Sequence, residues 1–122
     1  MGRAAISYQL LIEVPAPVRV RVGRLGAFDW PAGRYVYTGS ARRQLEARLA
    51  RHQRPDKRLR WHIDYLLAAP GVRIARIRRS AREECSWNQA TQRTVPVRGF
   101  GASDCRAGCG SHLKYQGHFS EA

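Results

Sequence analysis

Gly33-Arg34-Tyr35-Val36-Tyr37-Thr38-Gly39-Ser40 is the stretch on which the fold turns. Tyr35 to Thr38 are residue types that suit a pleated, half-buried surface, so 34–38 is predicted to be a strand that stops at Gly39. Ser40 is a helix-capping residue type, and a helix is predicted over about 41–53. There Ala41, Leu45, Leu49 and His52 fall on one side at helical spacing. Arg48 lies at the edge of this stripe, and Arg42, Arg43 and Arg51 lie farther round. Pro55 ends the run.

Working outward, residues 5–14 are short, apolar and bounded by Pro15 and Pro17, which reads as a strand. Val18, Val20 and Val22 alternate with Arg19 and Arg21, a period-two strand with one basic face. Gly23, Gly26 and Pro31 then mark a turn-rich stretch. A second, shorter helix is predicted over 59–68, closed by Pro70-Gly71, and a strand over 72–78. Ser80 and Glu83 have capping-box spacing, which opens a third helix over about 81–92 with Glu84, Trp87, Asn88 and Thr91 on one face. From Val95 onward the chain is rich in Gly and polar residues. The whole reads as an α+β domain with a small, mostly antiparallel sheet flanked by helices. One domain is expected over 1–117, with a flexible tail over 118–122.

Charge narrows the partner. Lys and Arg total 22 against 9 Asp and Glu, a formal net charge of +13, and Lys57 and Lys114 are the only lysines. Arg suits two-pronged phosphate contacts better than Lys does, so a polyanion is the natural partner. A coding bias towards Arg would explain the choice of cation but not the shortage of acids. With 43 % hydrophobic residues in patterned runs, general disorder is a poor reading. No basic amphipathic helix suggests a membrane surface, and no window approaches a membrane span. Residues 1–14 have no secretory-leader pattern. The three cysteines are an odd number, so a disulfide framework is not expected and a reducing cytoplasm is.

The stretch quoted above, with Leu45-Glu46-Ala47-Arg48 after it, resembles the second half of the GIY-YIG nuclease signature. In that family a strand ends in Tyr-x-Gly and the following helix supplies an Arg. Tyr37-Thr38-Gly39 and Arg48 match these in turn. The first half, Gly-Ile-Tyr, falls on Ile6-Ser7-Tyr8, where Ser7 replaces the motif's last residue before Tyr8 and no Gly is present. Gly33-Arg34-Tyr35 sits too close to Tyr37 to be that first half. The spacing from Tyr8 to Tyr37 is long for the family, which makes residues 15–32 look like an inserted hairpin. Arg51-His52, Trp61-His62-Ile63-Asp64-Tyr65-Leu66, Glu84-Cys85, Gly99 to Cys105 and Ser111-His112-Leu113 follow in order. Together they are similar to one branch of the superfamily, long catalogued as a domain of unknown function, alone or fused to a DNA-repair glycosylase.

The resemblance implies a metal-dependent endonuclease, acting on DNA more than RNA, in repair or processing. It implies one Mg2+ or Mn2+ held by Glu84, Tyr8 or Tyr37 as the base, and Arg48 on the phosphate. That chemistry is sound: phosphodiester hydrolysis needs an activated water, charge stabilisation on phosphoryl oxygens and help for the leaving oxygen. Each residue also has a plainer reading. Glu84 could complement a helix N-terminus, Arg48 could be one solvated arginine among many, and strand tyrosines are mostly core. His62 is a candidate proton carrier or phosphate donor, or a packed histidine. Ser40, Arg42, Arg43, Arg51 and His52 are candidate nucleic-acid contacts, and Asp64 could orient a neighbour. Cys105-x3-Cys109-x2-His112 resembles half of a zinc site, whose fourth ligand would have to be Cys85, Asp104 or His118. The spacing is not that of a zinc-finger pair, and a glycine-rich loop closing over the active face is the expected role of 99–113. The rival to an enzyme is a binding module that grips nucleic acid with the same basic face. No base-reading motif is present, so weak sequence specificity is expected.

Overall fold

The computed structural model describes residues 5–40, 44–54, 59, 61–81, 84, 87–88, 100 and 111–117. A four-stranded antiparallel sheet carries the molecule. Its strands are β1 (Ser7–Val14), β4 (Gly33–Ser40), β5 (Arg73–Ser80) and β6 (Leu113–Gly117), in the order β5-β1-β4-β6. Between β1 and β4, β2 (Val18–Val22) and β3 (Gly26–Trp30) form a separate two-stranded hairpin. Two helices follow β4, α1 (Leu45–Gln53) and α2 (His62–Leu67).

Register decides which side chains meet. Tyr8 is opposite Gly39, Leu10 opposite Tyr37 and Ile12 opposite Tyr35, so these six share one face. Leu49 of α1 and Ile63 and Leu66 of α2 join them in the core with Phe100 and Leu113. In β5, Ile74 and Ile77 are three residues apart and would point to opposite faces of a regular strand. A register shift between Leu11 and Ile12 corrects this, pairing Ile77 with Leu10 and Ile74 with Ile12. The opposite face is polar but also buried at its centre, where Gln9 Nε2 donates to Thr38 Oγ1 at 3.1 Å.

The expected strands over 5–14, 18–22, 34–38 and 72–78 are present with small changes of boundary. The stretch after Val22 differs: its turn is limited to the 3₁₀ turn Gly23–Leu25, with Gly23 at φ +49° and Gly26 at φ +122°, and the chain then returns as β3. Val22 and Trp30 anchor this hairpin in the core, with Trp30 edge-on to Tyr35 at 5.9 Å and to Phe100 at 5.6 Å.

Ser40 does not cap α1. It is the last residue of β4, paired with Ser7, and the helix begins at Leu45 after Gln44 in a left-handed conformation, φ 56°. Sheet pairing has claimed the position that capping would have needed. The second helix is shorter than 59–68, and its start is fixed by Asp64, whose Oδ2 accepts from the Trp61 N–H at 2.9 Å. Of the third helix, Glu84, Trp87 and Asn88 are helical. The rest of 82–92, the tail over 118–122 and most of the glycine-rich stretch lie outside the described residues.

Candidate active site

Tyr8 and Gly39 face each other across β1 and β4, and the contact explains the glycine. A Cβ on Gly39 would lie 2.5 Å from the Tyr8 phenol oxygen and ring. Only a residue without a side chain leaves that space to the ring. Tyr8 is then only 1 % exposed, and its hydroxyl lies 2.6 Å from Nε2 of His52. His52 reaches it because it is one turn beyond Arg48 on α1 and both lie near the inward edge of the helix. Tyr37 stands 6.4 Å from Tyr8 and 6.2 Å from His52, ring to ring.

Arg48 binds the cluster from the helix side. Its Nη1 donates to the Ser40 carbonyl at 2.7 Å, and its guanidinium lies 4.8 Å from the centre of the Trp61 ring. Burial pushes the Tyr8 phenol well above the usual tyrosine value of 10. The Arg48 charge, close enough to hydrogen-bond the phenol, pulls it back down, while Glu84 and Asp64 push it up. Tyr37 is also raised, by burial first and then by Tyr8 and Glu84. Both phenols are therefore protonated at neutral pH, and Tyr8 has an imidazole at hydrogen-bond distance.

Glu84 meets His112, a pairing not expected from the sequence. Nδ1 of the buried His112 lies 2.6 Å from Glu84 Oε2, and the His112 carbonyl accepts from the Thr38 N–H at 2.9 Å. The glutamate is thus held against the edge of β4, near enough to raise both tyrosines. Its pairing is unlike that of the other described carboxylates. Glu13 meets Arg73 and Arg34, Asp29 meets Arg19, Glu46 meets Arg79 and Asp64 meets Arg51. Glu84 alone among them has a histidine instead of an arginine. The ring, donating from Nδ1 to Oε2, orients the carboxylate. The side chain is one-quarter exposed, and Oε1 has no partner among the described residues. That donor set fits Mg2+ or Mn2+, which accept one carboxylate oxygen and keep their waters.

The remaining candidates separate. Arg51 makes a two-pronged ion pair at 3.0 Å with Asp64, which is fully buried, and lies 4.2 Å over Trp61. His52 is buried on Tyr8 and is no surface contact. Ser40 offers its carbonyl to Arg48. His62 packs on Phe100 at 5.6 Å, with Phe100 in turn 6.4 Å from Tyr37. Arg42, Arg43, Cys85, Cys105, Cys109, Asp104 and His118 lie outside the described residues. His112, a candidate zinc ligand by spacing, has its Nδ1 on Glu84 Oε2. The sequence did contain one signal for His52, the Arg48-x3-His52 spacing on a single helix face. For Trp61 as a platform under two guanidinium groups it contained none.

Fold and site define a small α+β domain with a tyrosine–histidine pair, an arginine and a histidine-held glutamate at one edge of its sheet. The chain belongs to the family described as domain of unknown function DUF123, a GIY-YIG-like domain family, which matches residues 7–122. No curated protein and no solved structure matches it. Among the described residues no helix is long and apolar enough to cross a membrane.

Proposed function

We propose that the chain is a metal-dependent nuclease that hydrolyses phosphodiester bonds in DNA, single-stranded or structured, in repair or processing. The observation that carries this reading is the Tyr8–His52 pair, with Arg48 on one side and Glu84, held by His112, on the other. A water attacking phosphorus must lose a proton as its oxygen bonds to the phosphoryl group. Tyr8, protonated at rest, takes that proton as it hands its own to Nε2 of His52, so no free phenolate has to exist beforehand. Arg48 carries the charge that builds on the phosphoryl oxygens. Glu84 Oε1 would hold the divalent ion, which supplies positive charge beside the departing oxygen. Buried Tyr37 and half-buried Trp61 pack against the His52 ring and fix its position.

Cleavage of labelled single-stranded and duplex DNA and RNA, with and without Mg2+ or Mn2+, tests the reading. Metal-dependent products are expected from the native chain and none from Glu84→Ala or Arg48→Ala, both folded. Cleavage that persists in both variants refutes it. A second reading, binding without cutting, is favoured by Arg76 and Arg78. They are exposed on β5 at positions opposite Leu11 and Gln9, away from the Tyr8 face, and enter no ion pair among the described residues. Salt-sensitive binding with no cleavage in any metal would select it.

A further inference from the structure

A cavity of about 340 Å3 opens between the C-terminal ends of α1 and α2 and the start of β5. Its walls are aliphatic, from Leu59, Leu67, Val72 and Ile74, and two arginines, Arg54 and Arg73, stand in its lining. Arg73 also pairs with Glu13, but no carboxylate lines the cavity among the described residues. Leu59 is the exposed large hydrophobic side chain among those residues, and here it forms part of a wall. The cavity also touches the candidate active site. His52 lines it, while Nε2 of the same ring meets the Tyr8 hydroxyl. One buried imidazole is the partition between the two.

We propose that this cavity binds a single unstacked nucleotide, its base against the four aliphatic side chains and its phosphate at Arg54. An apolar interior with cationic groups, and no acid in its lining among the described residues, selects an anion with a flat, apolar body. The volume lies at the lower end of the range of about 300–1,000 Å3 usual for small-molecule sites, enough for one nucleotide and little more. Position adds a second reason. A strand with a phosphodiester at Tyr8 and Arg48 would lie on one side of His52, with the cavity on the other. Taking a base out of the stack costs least where it is mismatched, damaged or already single-stranded. The cavity therefore makes unpaired nucleotides the preferred substrate feature. The choice of a nucleotide as ligand rests on the nucleic-acid reading above, but its binding here requires neither metal nor cleavage.

Methyl and histidine-ring NMR of the full chain, without metal, provides the test, with dAMP, inorganic phosphate and octanoate as probes. Saturable shifts of the Leu59, Leu67, Val72 and Ile74 methyls and of the His52 ring are expected with dAMP. Phosphate alone should leave the methyls unmoved. Ala68 is exposed and lines the cavity. Ala68→Trp should fill it and weaken dAMP binding by about tenfold or more, a free-energy change of roughly 1.4 kcal/mol. Leu59→Ala, at an exposed position, should weaken it less and leave the fold intact. Unmoved methyls with dAMP overturn the proposal, as do octanoate binding more tightly than dAMP or unchanged dAMP binding in both variants. Cleavage by a chain whose cavity ignores dAMP overturns the cavity alone. dAMP in the cavity of a chain that never cleaves supports it and overturns the nuclease reading alone.

Discussion

The Tyr8 hydroxyl and Nε2 of His52 are 2.6 Å apart, and both side chains are buried. In such a pair neither residue acts alone. Burial keeps Tyr8 protonated, so it can accept a proton only by releasing one, and His52 is placed to receive it.

His52→Ala and Tyr8→Phe should each lower kcat for cleavage by roughly 10²-fold or more, with little change in KM. The double variant should be no worse than the poorer single one, because residues that act as a unit give non-additive losses. Losses that multiply would show two independent roles.

His112→Ala should act through the metal dependence of cleavage. With Glu84 no longer held, the Mn2+ concentration for half-maximal activity is expected to rise about 10–100-fold, as for other partners of metal-binding carboxylates. The rate at saturating Mn2+ should change far less. His112→Gln, which keeps a donor, should recover part of the loss, and Mn2+ binding followed by electron paramagnetic resonance should shift in parallel. An unchanged Mn2+ dependence in His112→Ala would remove the positioning role.

Arg51→Ala tests the clamp between α1 and α2. Asp64 is fully buried and accepts both prongs of Arg51 and the Trp61 N–H. Removing the cation strands a buried charge, and a loss of about 3–5 kcal/mol is expected in urea unfolding. Asp64→Asn should cost less, since the amide leaves no charge behind. A loss under about 1 kcal/mol for Arg51→Ala would show that the pair is no more than a surface ion pair.

Alkaline pH should destabilise the fold. Burial raises Tyr8, Tyr35 and Tyr37 above the usual tyrosine value of 10. The unfolded chain then releases these protons first. Stability is fully present below about pH 10 and declines as pH rises from there towards the folded values. Urea midpoints measured between pH 8 and 11 should fall, and Tyr37→Phe should flatten the slope. A slope unchanged by that variant would show that Tyr37 does not contribute.

Local pattern made most of the sheet legible. Val-Arg-Val-Arg-Val is a strand on alternation alone, and 5–14 and 34–38 are strands on composition and flanking residues. Return strands were harder to see. In β3, Gly26 and nearby Pro31 look like turn chemistry, although Gly26 only completes the 3₁₀ turn. In β6, Leu-Lys-Tyr-Gln-Gly has too little alternation to stand out, and its place is set by pairing with Tyr35 and Tyr37. Arg48 and Glu84 could be selected as candidates from the resemblance. The Glu84–His112 contact could not, because 28 residues separate the two and they meet only once β6 has docked on β4. The partner of Arg51 was hidden for a similar reason. An arginine on a helix face reads as solvated until a buried acid from the next helix is placed beside it.

The space at Gly39 has a consequence for how the motif can vary. Because the Tyr8 ring fills the volume a side chain at 39 would need, the two halves of the signature form one physical contact. Neither position can drift alone: a larger residue at 39 evicts the ring, and a smaller residue at 8 leaves a hole that relaxes the demand for glycine. A library randomised at both positions should return correlated pairs, Tyr with Gly or a small residue with a larger one. Distant relatives are therefore better recognised by scoring the pair jointly than by matching either triplet.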